Sequence, residues 1–176
     1  MIFQFRIISD ENKDFARELL INGDQTFLDF HNALQENLGY DPHQLASFFI
    51  TNSGWEKLLQ ITLIDMMDNG SDTSATMDCA RIEDNVERDG QRMLYVFDFF
   101  SERSFFIELT DVLDNIESKI LPKISFERGD PPPQINLEPE NLTISDEFDE
   151  DDSLGYNEED LGEGYNISDT EEYQDE

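Results

Sequence analysis

Asp98 lies in the run Tyr95-Val96-Phe97-Asp98-Phe99, a carboxylate set among aromatic side chains. A carboxylate turned toward a core needs a cationic or hydrogen-bonding partner, because an unpaired buried charge is costly. Arg17 and Arg103 are arginines that could supply one. His31 follows Phe30 on a segment with helical apolar spacing, and histidine serves as a general base or metal ligand when a second group orients it. Arg17, His31 and Asp98 therefore form the candidate pocket. The plainer readings, a satisfied Asp98–arginine pair and a helix-edge histidine bonded to backbone, are favoured, and no residue is assigned a catalytic role.

Other chemistry is thinly supplied. His43 is the second of only two histidines, and the pair shows no metal-ligand spacing. Cys79, the single cysteine, sits beside Asp78, where negative charge disfavours the thiolate a nucleophile needs. There is no Gly-x-Ser-x-Gly elbow, no phosphate-cradling glycine loop and no dinucleotide fingerprint. Asp149-Glu150-Asp151-Asp152 lacks the glycine and terminal glutamate of an EF-hand loop. Neither a metal nor a cofactor is expected.

Partner contacts are a different matter. Trp55, the only tryptophan, follows the turn Asn52-Ser53-Gly54 and is a candidate anchor, although burial under a loop is the commoner fate. Tyr156, Tyr165 and Tyr173 recur at intervals of 8 or 9 residues among acidic side chains, a pattern able to dock on a partner groove. Direct nucleic-acid binding is disfavoured, because 42 acidic side chains stand against 11 basic ones, a net charge of −31. An acidic chain that mimics DNA toward a basic protein is physically allowed, without any ordered phosphate-like spacing to support it.

The charge is uneven along the 176 residues. Residues 1–134 hold 25 acidic and all 11 basic side chains, net −14, whereas residues 135–176 hold the other 17 acidic side chains and no basic one. That second segment has little to bury against an ordering cost of roughly 1–2 kcal/mol per residue, so it is expected to be a disordered acidic tail. Gly129-Asp130-Pro131-Pro132-Pro133 marks the boundary. No run approaches ~18 apolar residues, so no membrane span is expected. Met1–Arg6 lacks the features of a secretory signal, which makes the cytoplasm the expected location.

The elements that must position these residues follow from periodicity. Met1–Ile8 alternates with Phe3, Phe5 and Ile7 on one face, as a strand does. Phe15–Ile21 fits a strand or a helical turn. Thr26 and Asp29 have capping-box spacing, Phe27, Phe30, Leu34 and Leu38 form an apolar stripe, and Gly39 is a natural stop: a principal helix over about 26–38. Ala46–Thr51 reads as a strand, and Lys57–Ile64 as a strand or a surface segment. Asn69–Thr76 reads as a loop, and Cys79–Arg88 as a short helix with Ile82 and Val86 inward. Met93–Phe100 and Arg103–Thr110 form the strongest strand pair, joined by a short hairpin through Ser101-Glu102. The sum is an α+β fold, a mostly antiparallel sheet packed on one principal helix.

In this order the segments resemble the plasmid pRiA4b ORF-3-like family over roughly Phe3 to Gln134. Thr26-Phe27-Leu28-Asp29-Phe30-His31-Asn32-Ala33-Leu34-Gln35 is similar to the family's Thr-Leu-x-x-Leu-His-x-Ala-Ile-Gln, and Gly39-Tyr40 stands where the family has Gly-Trp. Leu45-Ala46-Ser47-Phe48 resembles its Leu-His-x-Phe strand, Tyr95–Phe99 its Tyr-x-Tyr-Asp-Phe strand, and Gly129–Pro132 its Gly-x-x-Pro-Pro turn. The departures are polar. Phe15-Ala16-Arg17-Glu18 replaces Ile-Trp-Arg-Arg, Ala46 fills a histidine position, and Phe100–Phe105 replaces a Gly-Asp-x-Trp-x-His end. The resemblance implies a scaffold with no settled activity. The expected function is a non-enzymatic module that binds another protein; the alternatives are a divergent hydrolase or metal-dependent enzyme, and an acidic DNA mimic.

Overall fold

The computed structural model describes residues 1–64, 74–86, 90–114 and 120–135. The chain divides into two units, Met1–Leu137 and Glu138–Glu176, and every described residue belongs to the first. Tyr156, Tyr165 and Tyr173, with the rest of the expected tail beyond Ile135, lie outside the described residues.

The elements run β1 (Ile2–Ser9), β2 (Ala16–Asn22), α1 (Phe27–Leu38), β3 (Ser47–Thr51), β4 (Lys57–Thr62), β5 (Ser74–Thr76), α2 (Ile82–Asn85), β6 (Arg92–Asp98), β7 (Arg103–Leu113) and β8 (Lys123–Arg128). The strands form one sheet in the order β5-β4-β3-β6-β7-β1-β2-β8. Among the described residues the β4–β5 pairing is the one parallel pair. This is the α+β architecture that the apolar periodicity implies.

Period-two alternation puts one apolar row of each central strand on the same face. Phe3 and Phe5 of β1 lie opposite Ile21 and Leu19 of β2, and Ile7 opposite Arg17. Met93 and Tyr95 of β6 lie opposite Ile107 and Phe105 of β7, and opposite Ile50 and Phe48 of β3. On this face α1 lays Phe27, Phe30, Leu34 and Leu38, all buried. The Phe30 ring centroid is 5.2 Å from Phe5 and 5.1 Å from Phe48, the spacing of packed aromatic pairs. Each such side chain contributes roughly 1.5–3 kcal/mol by leaving water, which is what holds a single helix on a broad sheet.

The ends of α1 are built as the sequence indicates. Asp29 N–H donates to Thr26 Oγ1 at 3.2 Å and Thr26 N–H to Asp29 Oδ2 at 3.0 Å. Gly39 closes the helix in the left-handed region, φ 67°, where a side chain would be strained.

Several segments differ from expectation or resolve an open choice. Phe15–Ile21 and Lys57–Ile64, each left open, hold the strands β2 and β4. Within Asn69–Thr76, expected as a loop, Ser74–Thr76 is a strand paired with β4, and Asn69–Thr73 lies outside the described residues. The hairpin between β6 and β7 turns through four residues, 99–102, and not two. β8 has no counterpart in the sequence reading. It is an exposed edge strand, so its side chains carry no burial-driven alternation.

Candidate functional site

His31 and Gln35 stand four residues apart on α1, one turn, and therefore share the face that meets the sheet. Tyr95 rises between them from β6. Gln35 Nε2 donates to the Tyr95 hydroxyl oxygen at 2.5 Å, and that hydroxyl lies 2.8 Å from His31 Nδ1. The Tyr95 hydroxyl thus bridges the Gln35 carboxamide and a neutral His31 imidazole. Burial acts in the same direction: His31 is 1% exposed, and desolvation lowers its pKa to about 4. The Tyr95 phenol is pushed upward by burial, so it stays a donor. Gln35 Oε1 is buried without a hydrogen-bond partner. The triad orients polar groups inside the core, but a histidine so enclosed cannot reach a substrate.

A second polar system holds the segment after β8. Pro131, Pro132 and Pro133 have no N–H to offer a ladder, so this strap is fastened by side chains that take its carbonyls one after another. Arg17 Nη1 donates to the carbonyls of Arg128 and Gly129 at 2.8 and 3.0 Å, while its Nε donates to Asn37 Oδ1 at 2.7 Å. Asn12 Nδ2 donates to the Asp130 carbonyl at 2.9 Å, and the buried Tyr40 hydroxyl donates to the Pro132 carbonyl. Arg103 donates to the carbonyls of Pro133 and Gln134 at 2.7 and 3.2 Å, and forks onto both oxygens of Glu11 at 2.9 and 2.8 Å. Gln134 completes the strap by pairing its carboxamide with both backbone groups of Asp41, at 2.7 and 3.1 Å. Gly129, at φ 67°, lies so close to β2's approach that a Cβ would stand 2.6 Å from the Asp14 carbonyl oxygen. Close backbone contact therefore requires glycine there.

Asp98 joins the strap to the β6–β7 tip. Its Oδ1 accepts from the backbone N–H of Phe100 and Ser101 at 3.0 and 3.2 Å, an Asx-type turn, and its Oδ2 lies 3.7 Å from Arg103 Nη1. Glu102 completes the reversal at φ 53°. The turn thrusts Phe99 and Phe100 outward, 43% and 89% exposed, next to Leu45 and Ile135 at 46% and 55%. These four side chains, with Phe97, Asp98 and Gln134, line a cleft of about 400 Å³. An aromatic this exposed at a hydrogen-bonded tip leaves apolar area that none of the described residues covers. The cleft is the candidate functional site, an apolar surface on a braced turn.

The structure does not bring Arg17, His31 and Asp98 to one place. His31 belongs to the buried triad, Arg17 grips the start of the strap, and Asp98 shapes the tip and lines the cleft. The Asp98–Arg103 pair has the partner proposed for it from sequence, though Glu11 holds that arginine more closely. Trp55 is half-buried on the sheet face opposite α1, edge-on to Phe106 at 4.9 Å and under the Arg92 guanidinium at 5.1 Å. Cys79 is exposed. Among the described residues no group of three or more His, Cys, Asp and Glu side chains could hold a metal ion, and no helix among them is long and apolar enough to cross a membrane. Sequence reasoning passed over Gln35 and Tyr95, although Gln35 follows His31 by one helical turn. Tyr40 and the hub role of Arg103 gave no local signal, since Tyr40 meets Pro132 across 92 residues and Arg103 meets Glu11 across 92 and the strap across 30 and 31.

The order of these elements and motifs agrees with the comparisons. The family model described as plasmid pRiA4b ORF-3-like protein matches residues 1–136, and the chain belongs to that family. Among solved structures, the crystal structure of a protein of unknown function, MM3350, from Methanosarcina mazei Go1 is similar, with a TM-score of 0.58 and 19% sequence identity. The match covers 72% of this chain and 68% of that one, and it shows a shared fold. No curated protein matches the sequence.

Proposed function

We propose that the protein is a non-enzymatic protein-binding module, working in the cytoplasm, whose binding surface is the cleft at the β6–β7 tip. One observation carries this reading. His31, Arg17 and Asp98 are each engaged by internal partners, whereas Phe99, Phe100, Leu45 and Ile135 are presented around a cleft on a fastened turn. Binding surfaces differ from the remaining exterior by apolar and aromatic anchors set inside a polar rim, and Gln134, Ser101 and Asp98 supply such a rim. The strap matters because it holds Ile135 in place beside the tip, and a pre-ordered surface loses less entropy on association.

The reading is tested by panning a random peptide display library on the full chain and on a Leu45→Ser/Phe100→Ser double variant. Peptides enriched on the wild-type chain are expected to lose binding to the variant. Enriched peptides that bind both chains equally would contradict the assignment of the cleft. So would turnover in a panel of ester, phosphoester and peptide substrates that disappears in His31→Gln or Asp98→Asn.

A further inference from the structure

Building on that reading, we infer that the cleft's partner is a cationic segment carrying apolar side chains, a basic and not an acidic or neutral stretch of another protein. The local charge points there first. Around the cleft stand Asp98 and Glu102 at the tip, Asp41 beneath Gln134, and Glu11 on Arg103. Arg103 is spoken for: its side chain is only 9% exposed, it is forked onto Glu11, and its remaining hydrogens go to the strap carbonyls. Its charge is therefore compensated within the domain, while Glu102 and Asp41 are exposed. The covalent context points the same way. Ile135 lines the cleft. The 41 residues that follow it carry 17 carboxylates and no lysine or arginine. The chain as a whole, at a net charge of −31, attracts a cationic partner and repels an acidic one.

The apolar part of the partner follows from the lining. Phe99, Phe100, Leu45 and Ile135 offer no hydrogen-bond donors from their side chains, so they select for aliphatic or aromatic anchors, and the anionic surround selects for lysine or arginine on either side. A second copy of this chain is a poor occupant, since it would bring another net charge of −31 to the contact.

Three synthetic peptides separate these contributions in binding to the full chain. The first is a lysine-rich peptide with two leucines on a glycine–serine spacer. In the second, serine replaces the leucines; in the third, serine replaces the lysines and the leucines stay. The first is expected to bind about tenfold more tightly than either other, the loss typical of removing one class of anchor. Phe100→Ala should weaken the first peptide about tenfold, and Glu102→Gln about two- to threefold, with the second loss vanishing at high salt. The inference is overturned if the third peptide binds as tightly as the first in a Phe100-dependent way, which would leave the binding reading intact. If no peptide responds to Phe100→Ala, both fail. A Phe100-dependent dimer in sedimentation would make a second copy the occupant and overturn the cationic partner.

Discussion

Tyr95 serves two helix side chains with one hydroxyl, and the stability of the core is sensitive to that single atom. Tyr95→Phe keeps the ring among Phe48 and Phe105 but leaves His31 Nδ1 and the Gln35 carboxamide buried without their shared partner. A loss of roughly 1–3 kcal/mol in a denaturant titration is expected. His31 makes a further prediction through pH. The unfolded chain takes up this proton near the ordinary value of 6.5, the folded chain only near 4. Between those values the unfolded state binds more protons, so stability is unpenalised above pH 6.5, declines as pH falls from 6.5 to 4, and levels off below 4. The decline belonging to His31 is on the order of 3 kcal/mol. It is read as the difference in pH dependence between wild type and His31→Gln, which removes this group and leaves the carboxylates in common. At this scale the sequence was partly legible. His31 lies four residues after Phe27 and three before Leu34, inside the stripe and not at its edge, so its burial could be read from helical spacing. Its partner could not, because the contact with Tyr95 spans 64 residues.

Among the elements, α1 and the central strands were readable because their apolar periods coincide with burial, and the capping residues Thr26 and Gly39 are local signals. β5 and β8 were not, since an edge strand of Ser74-Ala75-Thr76 or Lys123–Arg128 owes its existence to a neighbouring strand and not to its own pattern. The strap shows the same limit. Gly129–Pro133 announces the end of regular structure, but not that Arg17, Asn12, Tyr40 and Arg103 would hold it. Two substitutions test the fastening. Gly129→Ala meets the Asp14 carbonyl at an unfavourable φ and is expected to destabilise the fold by about 1–3 kcal/mol in thermal unfolding. Arg103→Gln removes the fork onto Glu11 and the hold on the last carbonyls of the strap. It is expected to destabilise by about 1–2 kcal/mol and to speed amide exchange at Gln134 and Ile135.

For the molecule as a whole, charge is the dominant fact. The segment 1–134 folds with a net −14, and repulsion within it works against compaction. Raising ionic strength from about 10 mM to about 500 mM should therefore raise the melting temperature by a few degrees, because screening relieves that repulsion. A stability that falls with salt would mean that the ion pairs Arg6–Glu18 and Arg103–Glu11 outweigh it. Family membership and the shared fold define the scaffold, and the cleft at the β6–β7 tip is one place where this chain's own residues leave apolar surface exposed. The most direct measurement is an amide chemical-shift map of the full chain titrated with the lysine–leucine peptide. Shifts gathered at Leu45, Phe99, Phe100, Ser101 and Ile135 are the expected result. Shifts confined to the opposite sheet face around Trp55 and Phe106, or none at all, would contradict the cleft as the place where this protein is bound.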